Sequence, residues 1–194
     1  MMIECVPNFS EGTRKDVVDS IVAKVRRRAD VRILDLHSDA SHNRSVLTLA
    51  GDAHSLTEAV LALVGACLET IDLRLHRGEH PRLGAVDVVP FIPLVGASLP
   101  DCVALARRVG ESIAQIHQIP VFLYEEAASA PHRKDLENIR RGQFEGLAGK
   151  LKDPRWQPDF GPSDPHPSFG AVAVGARMPL IAFNVNLNTA DVEV

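Results

Sequence analysis

The chain has 194 residues, 45% of them apolar, enough for one large or two small domains with an ordinary core. Lys and Arg number 21 against 25 Asp and Glu, a formal charge of −4, which excludes any general attraction to nucleic-acid phosphates or anionic lipid. No apolar run spans a bilayer and the start MMIECVPNFSEG is no signal peptide, so a cytoplasmic protein with neither nucleic-acid nor membrane partners is expected.

IECVP is a short β-like run ended by Pro7 and the turn-rich NFSEG. From Thr13 the pattern becomes helical: Val17, Ile21 and Val25 recur at four-residue spacing beside Val18 and Val22, and Thr13 with Asp16 is a candidate N-cap pair. VRILDL and RSVLTLAG read as strands joined by the turn formers SDASHN, which predicts an antiparallel pair. Ser55 and Glu58 form a capping-box pattern ahead of Leu56, Val60, Leu63, Cys67 and Ile71 on one helical face. After the polar stretch LRLHRGEHPRLGAVD, the strand pattern VDVVPFIPLV carries Pro90 and Pro93 and is expected at a sheet edge or with a bend. The order so far is β-α-β-β-α-β, that of a ferredoxin-like (split β-α-β) plait.

Ser98 and Asp101 cap a further helix pattern with Cys102, Leu105, Val109, Ile113 and Ile116 facing inward. PVFLY is a strand and RKDLENIRR a short charged helix. The proline-rich DPRWQPDFGPSDPHPSFG excludes regular structure, because each proline lacks an amide donor and restricts its predecessor. AVAVGAR and PLIAFNVNL follow as strands, expected to form a hairpin across Met178 and Pro179. The fold class is therefore α+β: a plait with an extra C-terminal helix and strands, helices packed on a mainly antiparallel sheet. Thr189, Asp191 and Glu193 look like the start of a helix, so residues 1–186 are expected to form one subdomain and 187–194 to begin a linker toward a second.

Cys5, Cys67 and Cys102 are odd in number and far apart, which fits reduced, buried, structural thiols better than disulfides; a catalytic thiol is the competing reading. His76 and His80 have the spacing of metal ligands on a helix, but Gly78 and Pro81 interrupt such a helix and Glu79 adjoins the wrong histidine for a zincin, so no metal is expected. An acid–base reading fits better. Histidine titrates nearest neutrality, an adjacent carboxylate orients it, and Arg77 and Arg82 suit an anionic substrate. The competing reading is a polar surface loop. Asn8, Ser10 and Glu11 follow the first strand, and Asp35, His37, Asp39, His42, Asn43 and Arg44 lie about the next turn; each group alone also fits ordinary turn chemistry. Between Gly161 and Gly170 the loop can offer bare amides to a flat ligand, with Phe160, Phe169 or Trp156 for stacking, or can be a rigid connection covering the core.

In their order along the whole chain, ECVPNFSEG, HNRSV, RGEHPRLGAVDVVPFIP, PVFLY followed by EAA, PDFGPS and GARMPLIAFNVNL resemble the glutamate formiminotransferase family, its N-terminal subdomain in particular. The resemblance implies transfer of a formimino group from N-formimino-L-glutamate to N5 of tetrahydrofolate, a step of histidine breakdown, with tetrahydrofolate as co-substrate and no metal. It implies His80 as the catalytic histidine, with Glu79, Asp35 or Asp39 as its carboxylate partner. It maps the folate segment onto Gly161, Pro162, Ser163, Asp164, Pro165, His166, Pro167, Ser168, Phe169 and Gly170. Asn8, Asn43, Arg44 and Arg82 complete the binding set, the arginines for substrate carboxylates. A C-terminal subdomain, in cis or in trans, is the expected partner, with a homo-oligomer open. The chain departs from animal members at His166 (apolar there), Phe169 (Trp), His37 (an acid) and Glu125 (Gly). The alternatives are a stand-alone folate- or partner-binding subdomain without turnover, and a related formyl transfer.

Overall fold

A computed structural model describes residues 1–180. The elements run β1 (Ile3–Cys5), β2 (Asn8–Phe9), α1 (Lys15–Arg28), β3 (Arg32–Asp39), β4 (Arg44–Gly51), α2 (Ala53–Thr70), β5 (Val86–Pro93), α3 (Leu99–His117), β6 (Val121–Glu125), α4 (Leu136–Arg140), α5 (Gln143–Lys150) and β7 (Val172–Ala176). β3 lies outside β4; β1 and β2, one strand interrupted at Val6–Pro7, lie between β4 and β5; β7 and β6 follow. The pairings from β3 to β5 are antiparallel, and β7 joins β5 and β6 in parallel. The mixed α+β architecture with helices on a mainly antiparallel sheet is the expected one, and the first four strand segments are consistent with an α+β plait.

Strand alternation decides what each face carries. Ile3, Cys5, Leu47, Leu49, Val86, Val89 and Phe91 join α1, α2 and α3 in one core, which continues under Val121, Leu123, Val172 and Val174. Among the described residues the opposite face is covered only over its β5–β7–β6 half, where Val88, Phe122, Tyr124 and Ala173 meet Ile139 of α4 and Leu147 of α5. No described residue covers the β3–β4–β2 half of that face, called the bare half below. Cys5, Cys67 and Cys102 are free and buried, as structural thiols.

Several local expectations change. β5 lies in the middle of the sheet and not at its edge, despite Pro90. The sheet tolerates Pro90 because its missing donor faces the break in the neighbouring strand: Val6 N still donates to Pro90 O (3.2 Å), and Val6 O takes its hydrogen bond from Asn8 Nδ2 (3.0 Å) instead. α1 starts at Lys15 with no side-chain cap from Thr13; the Glu11 carboxylate accepts from the amides of Thr13 (2.9 Å) and Arg14 (2.8 Å). α2 is capped by Asp52, which accepts from Ser55 N, so it begins three residues ahead of the Ser55–Glu58 box. The Ser98–Asp101 capping box is present. Ile116 is 61% exposed, in an unfilled groove of about 590 Å³ between α1, α2 and α3. α5 is an additional helix, in a glycine-rich stretch with little apolar signal. The partner strand PLIAFNVNL of the expected hairpin lies, from Ile181 on, outside the described residues, as does the linker read at 187–194; β7 itself runs between two parallel neighbours.

Candidate active site

The stretch from Asp72 to Ala85 is a loop whose two ends are fastened to the proline-rich segment. Leu73 N donates to Ser168 O (2.8 Å), Ala85 N to Phe169 O (2.8 Å) and Ala171 N to Leu83 O (3.3 Å). A Cβ on Gly170 would overlap Leu83 O, and Gly170 holds φ at +83°, so glycine is required there twice over. The histidine loop and the 161–170 segment, far apart in sequence, are thus one unit.

The middle of the loop rests on the turn between β3 and β4. Asn43, at φ +48°, accepts from Gly12 N (2.9 Å) and donates to Arg77 O (2.8 Å), and Glu79 N donates to Ser41 O (3.2 Å). A Cβ on Gly78 would overlap His42 O. His76, nine-tenths buried, donates through Nε2 to Asn43 O (2.9 Å), while burial holds its pKa below the usual range. His76 and His80 therefore have different hydrogen-bond partners, Asn43 O and Arg44.

His80 is half-buried at the border between the bare half of the sheet and the wall made by α4. Its Nε2 lies 2.7 Å from Arg44 Nη1. Arginine only donates, so Nε2 is the acceptor and the imidazole is neutral, its proton on Nδ1. Burial first, then the charges of Arg44, Arg140, His42 and His76, pull its pKa down to about 3. Arg140 pairs with Asp87, which also accepts from Leu83 N (2.7 Å). Burial pushes the Asp87 carboxyl upward, against the pull of Arg140 and that amide.

Among the described residues no carboxylate makes a hydrogen bond or ion pair with His80, and the three expected acid partners lie as follows. Glu79 is exposed and holds the turn only through its amide. Asp39 accepts from His42 N (2.9 Å) and lies 3.1 Å from His42 Nδ1; the His42 ring then meets the His80 ring edge-on, centroids 6.3 Å apart, so any influence of Asp39 is relayed. Asp35 is exposed four residues further along β3, about 13 Å at strand rise. The bare face nevertheless gathers many of the expected groups: β3 and β4 pair Asp39 with Arg44, His37 with Val46 and Asp35 with Thr48, and β2 sets Asn8 opposite Val46.

Other expected ligands are committed elsewhere. Arg82 is buried and paired with Glu145 (2.7 Å) and Gln143 (3.2 Å), so it ties the loop to α5 instead of facing a substrate. Asn8, Ser10 and Asn43 serve the backbone: Ser10 Oγ donates to Gly84 O (2.9 Å). Glu11 is buried; hydrogen bonds from Arg14 and Thr13 outweigh burial and lower its pKa. Phe169 is fully buried in the core and cannot stack on a ligand. Trp156 sits beneath Lys150 and beside His132. Phe160 packs partly buried against the main core. His166 Nδ1 accepts from the amides of Phe169 (3.2 Å) and Ser168 (3.4 Å), a bond that an apolar residue there cannot make. Gly161, Ser163, Asp164 and Pro167 are exposed, and the amides of Gly161, Ser163 and Asp164 find no acceptor among the described residues. Arg140 and Asp87 were not anticipated. An acid inside the apolar run AVDVV signals a buried partner, but nothing local marks Arg140 as that partner.

No helix among the described residues is long and apolar enough to cross a membrane. Residues 2–177 match the family model described as the formiminotransferase domain, N-terminal subdomain. The chain is 49% identical over 193 residues to a glutamate formimidoyltransferase of Streptococcus pyogenes, covering 100% of this chain and 64% of the relative. It is 47% identical over 195 residues to the glutamate formimidoyltransferase of Thermoplasma acidophilum, with the same coverage of each. It is 46% identical over 186 residues to the rat formimidoyltransferase-cyclodeaminase, covering 96% of this chain and 34% of that one. The chain therefore spans between about a third and two thirds of these relatives.

Proposed function

The chain belongs to the formiminotransferase N-terminal-subdomain family, and from that premise we propose that it moves a formimino group from N-formimino-L-glutamate to N5 of tetrahydrofolate, a step of histidine breakdown in the cytoplasm. Transfer makes a bond between N5 and the formimino carbon and breaks the bond from that carbon to the glutamate amine. One proton must leave N5 and one must reach the departing amine. His80 carries both: its neutral imidazole accepts the first, and the imidazolium returns it to the amine. The observation that carries this reading is a neutral histidine on a loop stapled to the 161–170 segment, in a corner where Arg44 and Arg140 bring positive charge. Arg44 receives a substrate carboxylate, and tetrahydrofolate lies along the exposed amides of Gly161 to Asp164. No step of this acid–base sequence is routed through a metal.

A flat sheet half makes only one wall of a cleft, whereas small-molecule sites usually enclose their ligands. We assign the opposite wall to a C-terminal subdomain, in cis or in trans, with residues 1–186 as the first subdomain.

Formimino transfer measured with this chain, alone and with a C-terminal subdomain supplied, tests the proposal. His80→Ala is expected to lower turnover by about 10²- to 10⁴-fold with little change in tetrahydrofolate affinity. Equal losses in both sink the acid–base role; a preference for a formyl donor replaces the donor assignment; binding without turnover under both conditions reduces the chain to a folate-binding subdomain.

A further inference from the structure

The cations of the corner are not equally provided for. Arg140 has Asp87 and Arg82 has Glu145. Arg44 forms no ion pair with any described residue; its Nε is buried without a partner, and its one side-chain hydrogen bond goes to a neutral imidazole. That bond occupies the lone pair His80 needs in order to accept a proton. The same guanidinium opposes a proton on the ring, and both effects end if the guanidinium is drawn to an anion.

We propose that Arg44 is an anion-operated latch on His80: in the free protein it covers Nε2, and a carboxylate of the amino-acid donor takes the guanidinium and releases Nε2 for proton transfer. This deepens the formimino-transfer reading, on which it rests for the donor's identity. Arg44 is then a positioning residue that couples donor recognition to the base.

The surroundings of His80 fit such an exchange. It is faced by Arg44 from β4, Arg140 from α4, His42 from the β3–β4 turn and His76 from its own loop, all of which disfavour its charge. The nearby acids are engaged, Asp39 with His42 and Asp87 with Arg140 and Leu83 N. Asp87 and Asp39 also act on Arg44 through space, and Glu79 is exposed with no side-chain bond to the ring or to Arg44, so an incoming carboxylate is the anion that would meet the guanidinium directly. Placed within contact, it favours the imidazolium by about one to three pH units. A donor lacking that carboxylate would bind yet leave His80 covered, so its loss would appear in kcat as well as in KM.

The test follows the His80 ring by NMR in the ¹⁵N-histidine-labelled 194-residue chain, with glutarate as an unreactive dicarboxylate and glutaramide as its neutral counterpart. The expected result is a His80 titration well below that of free histidine, moved upward by about one to three pH units by glutarate and unmoved by glutaramide. In Arg44→Gln the ring should titrate higher without any anion and respond little to glutarate. A titration that ignores saturating glutarate, or that stays low in a folded Arg44→Gln, overturns the latch; should that variant not fold, the wild-type titration decides. A formimino-transfer assay beside it separates the two readings. With a C-terminal subdomain supplied, a responsive His80 without transfer keeps the latch and removes the reaction, while transfer with an unresponsive His80 does the reverse.

Discussion

β4 shows two regions of the molecule within one strand. Ser45, Leu47 and Leu49 face the α1–α3 layer and are fully buried, whereas Arg44, Val46 and Thr48 alternate with them on the bare half and stay partly accessible. On the covered side, apolar area removed from water stabilises the sheet, and residues of the right size and period suffice. On the bare side little area is buried and the polar groups differ in commitment. Asn8 and Asp39 are held by local hydrogen bonds, while Arg44 holds only a neutral ring. A face that packing does not fill can keep a cation without an anion.

The largest effect expected in stability tests this contrast directly. Leu47→Ala should cost about 2–5 kcal/mol in denaturant unfolding, and Thr48→Ala, one residue on, within about 0.5 kcal/mol. A Thr48→Ala cost approaching that of Leu47→Ala would mean the bare half is covered in solution. Gly78→Ala forces the histidine loop off the β3–β4 turn and should cost about 1–3 kcal/mol while lowering formimino transfer, because backbone rather than a movable side chain stands in the way.

A smaller effect appears with pH. The His80 pKa falls from 6.5 to about 3 on folding, so below pH 6.5 the unfolded chain takes up a proton that the native state refuses. Its contribution to stability is present above pH 6.5 and is lost as pH falls toward 3, screened by partial exposure. His80→Gln should flatten that acid limb in urea melts. A gain under about 1 kcal/mol is expected from Glu125→Gly, since Glu125 holds φ at +53°, where glycine has no Cβ penalty; denaturant unfolding reads it.

Periodicity made the covered face legible. The stripes of α1, α2 and α3 and the alternation of β4 are local patterns read by counting, and Leu56, Val60, Leu63 and Cys67 lie where their spacing put them. Two helix starts were less legible because two capping groups competed near each; Glu11 and Asp52 sit just upstream of the better-looking Thr13 and Ser55, whereas the Ser98–Asp101 box of α3 had no rival. Of the site, His80 and its loop stood out because Gly78, Pro81 and two histidines do not fit a regular element. Its partners did not. The Arg44–His80 bond spans 36 positions and Arg140–Asp87 spans 53, and no short-range pattern separates an arginine that reaches across the sheet from one that faces water. Arg82 and Phe169 show anchoring contacts that no local pattern marked, Arg82 paired with Glu145 and Phe169 sunk in the core, because a chain segment that carries polar loops must also be held in place.

The repair of β5 reaches beyond the sheet. Pro90 withholds an amide from Val6 O, and the Asn8 side chain supplies one from the strand opposite. Val6 O thus ties positions 8 and 90 to one hydrogen bond. With proline at 90 the Asn8 side chain is held against its own backbone beside the histidine corner; an ordinary residue at 90 would bring an amide to Val6 O and leave that side chain free to turn outward. An interior proline thus decides whether a surface amide beside the histidine is already spoken for.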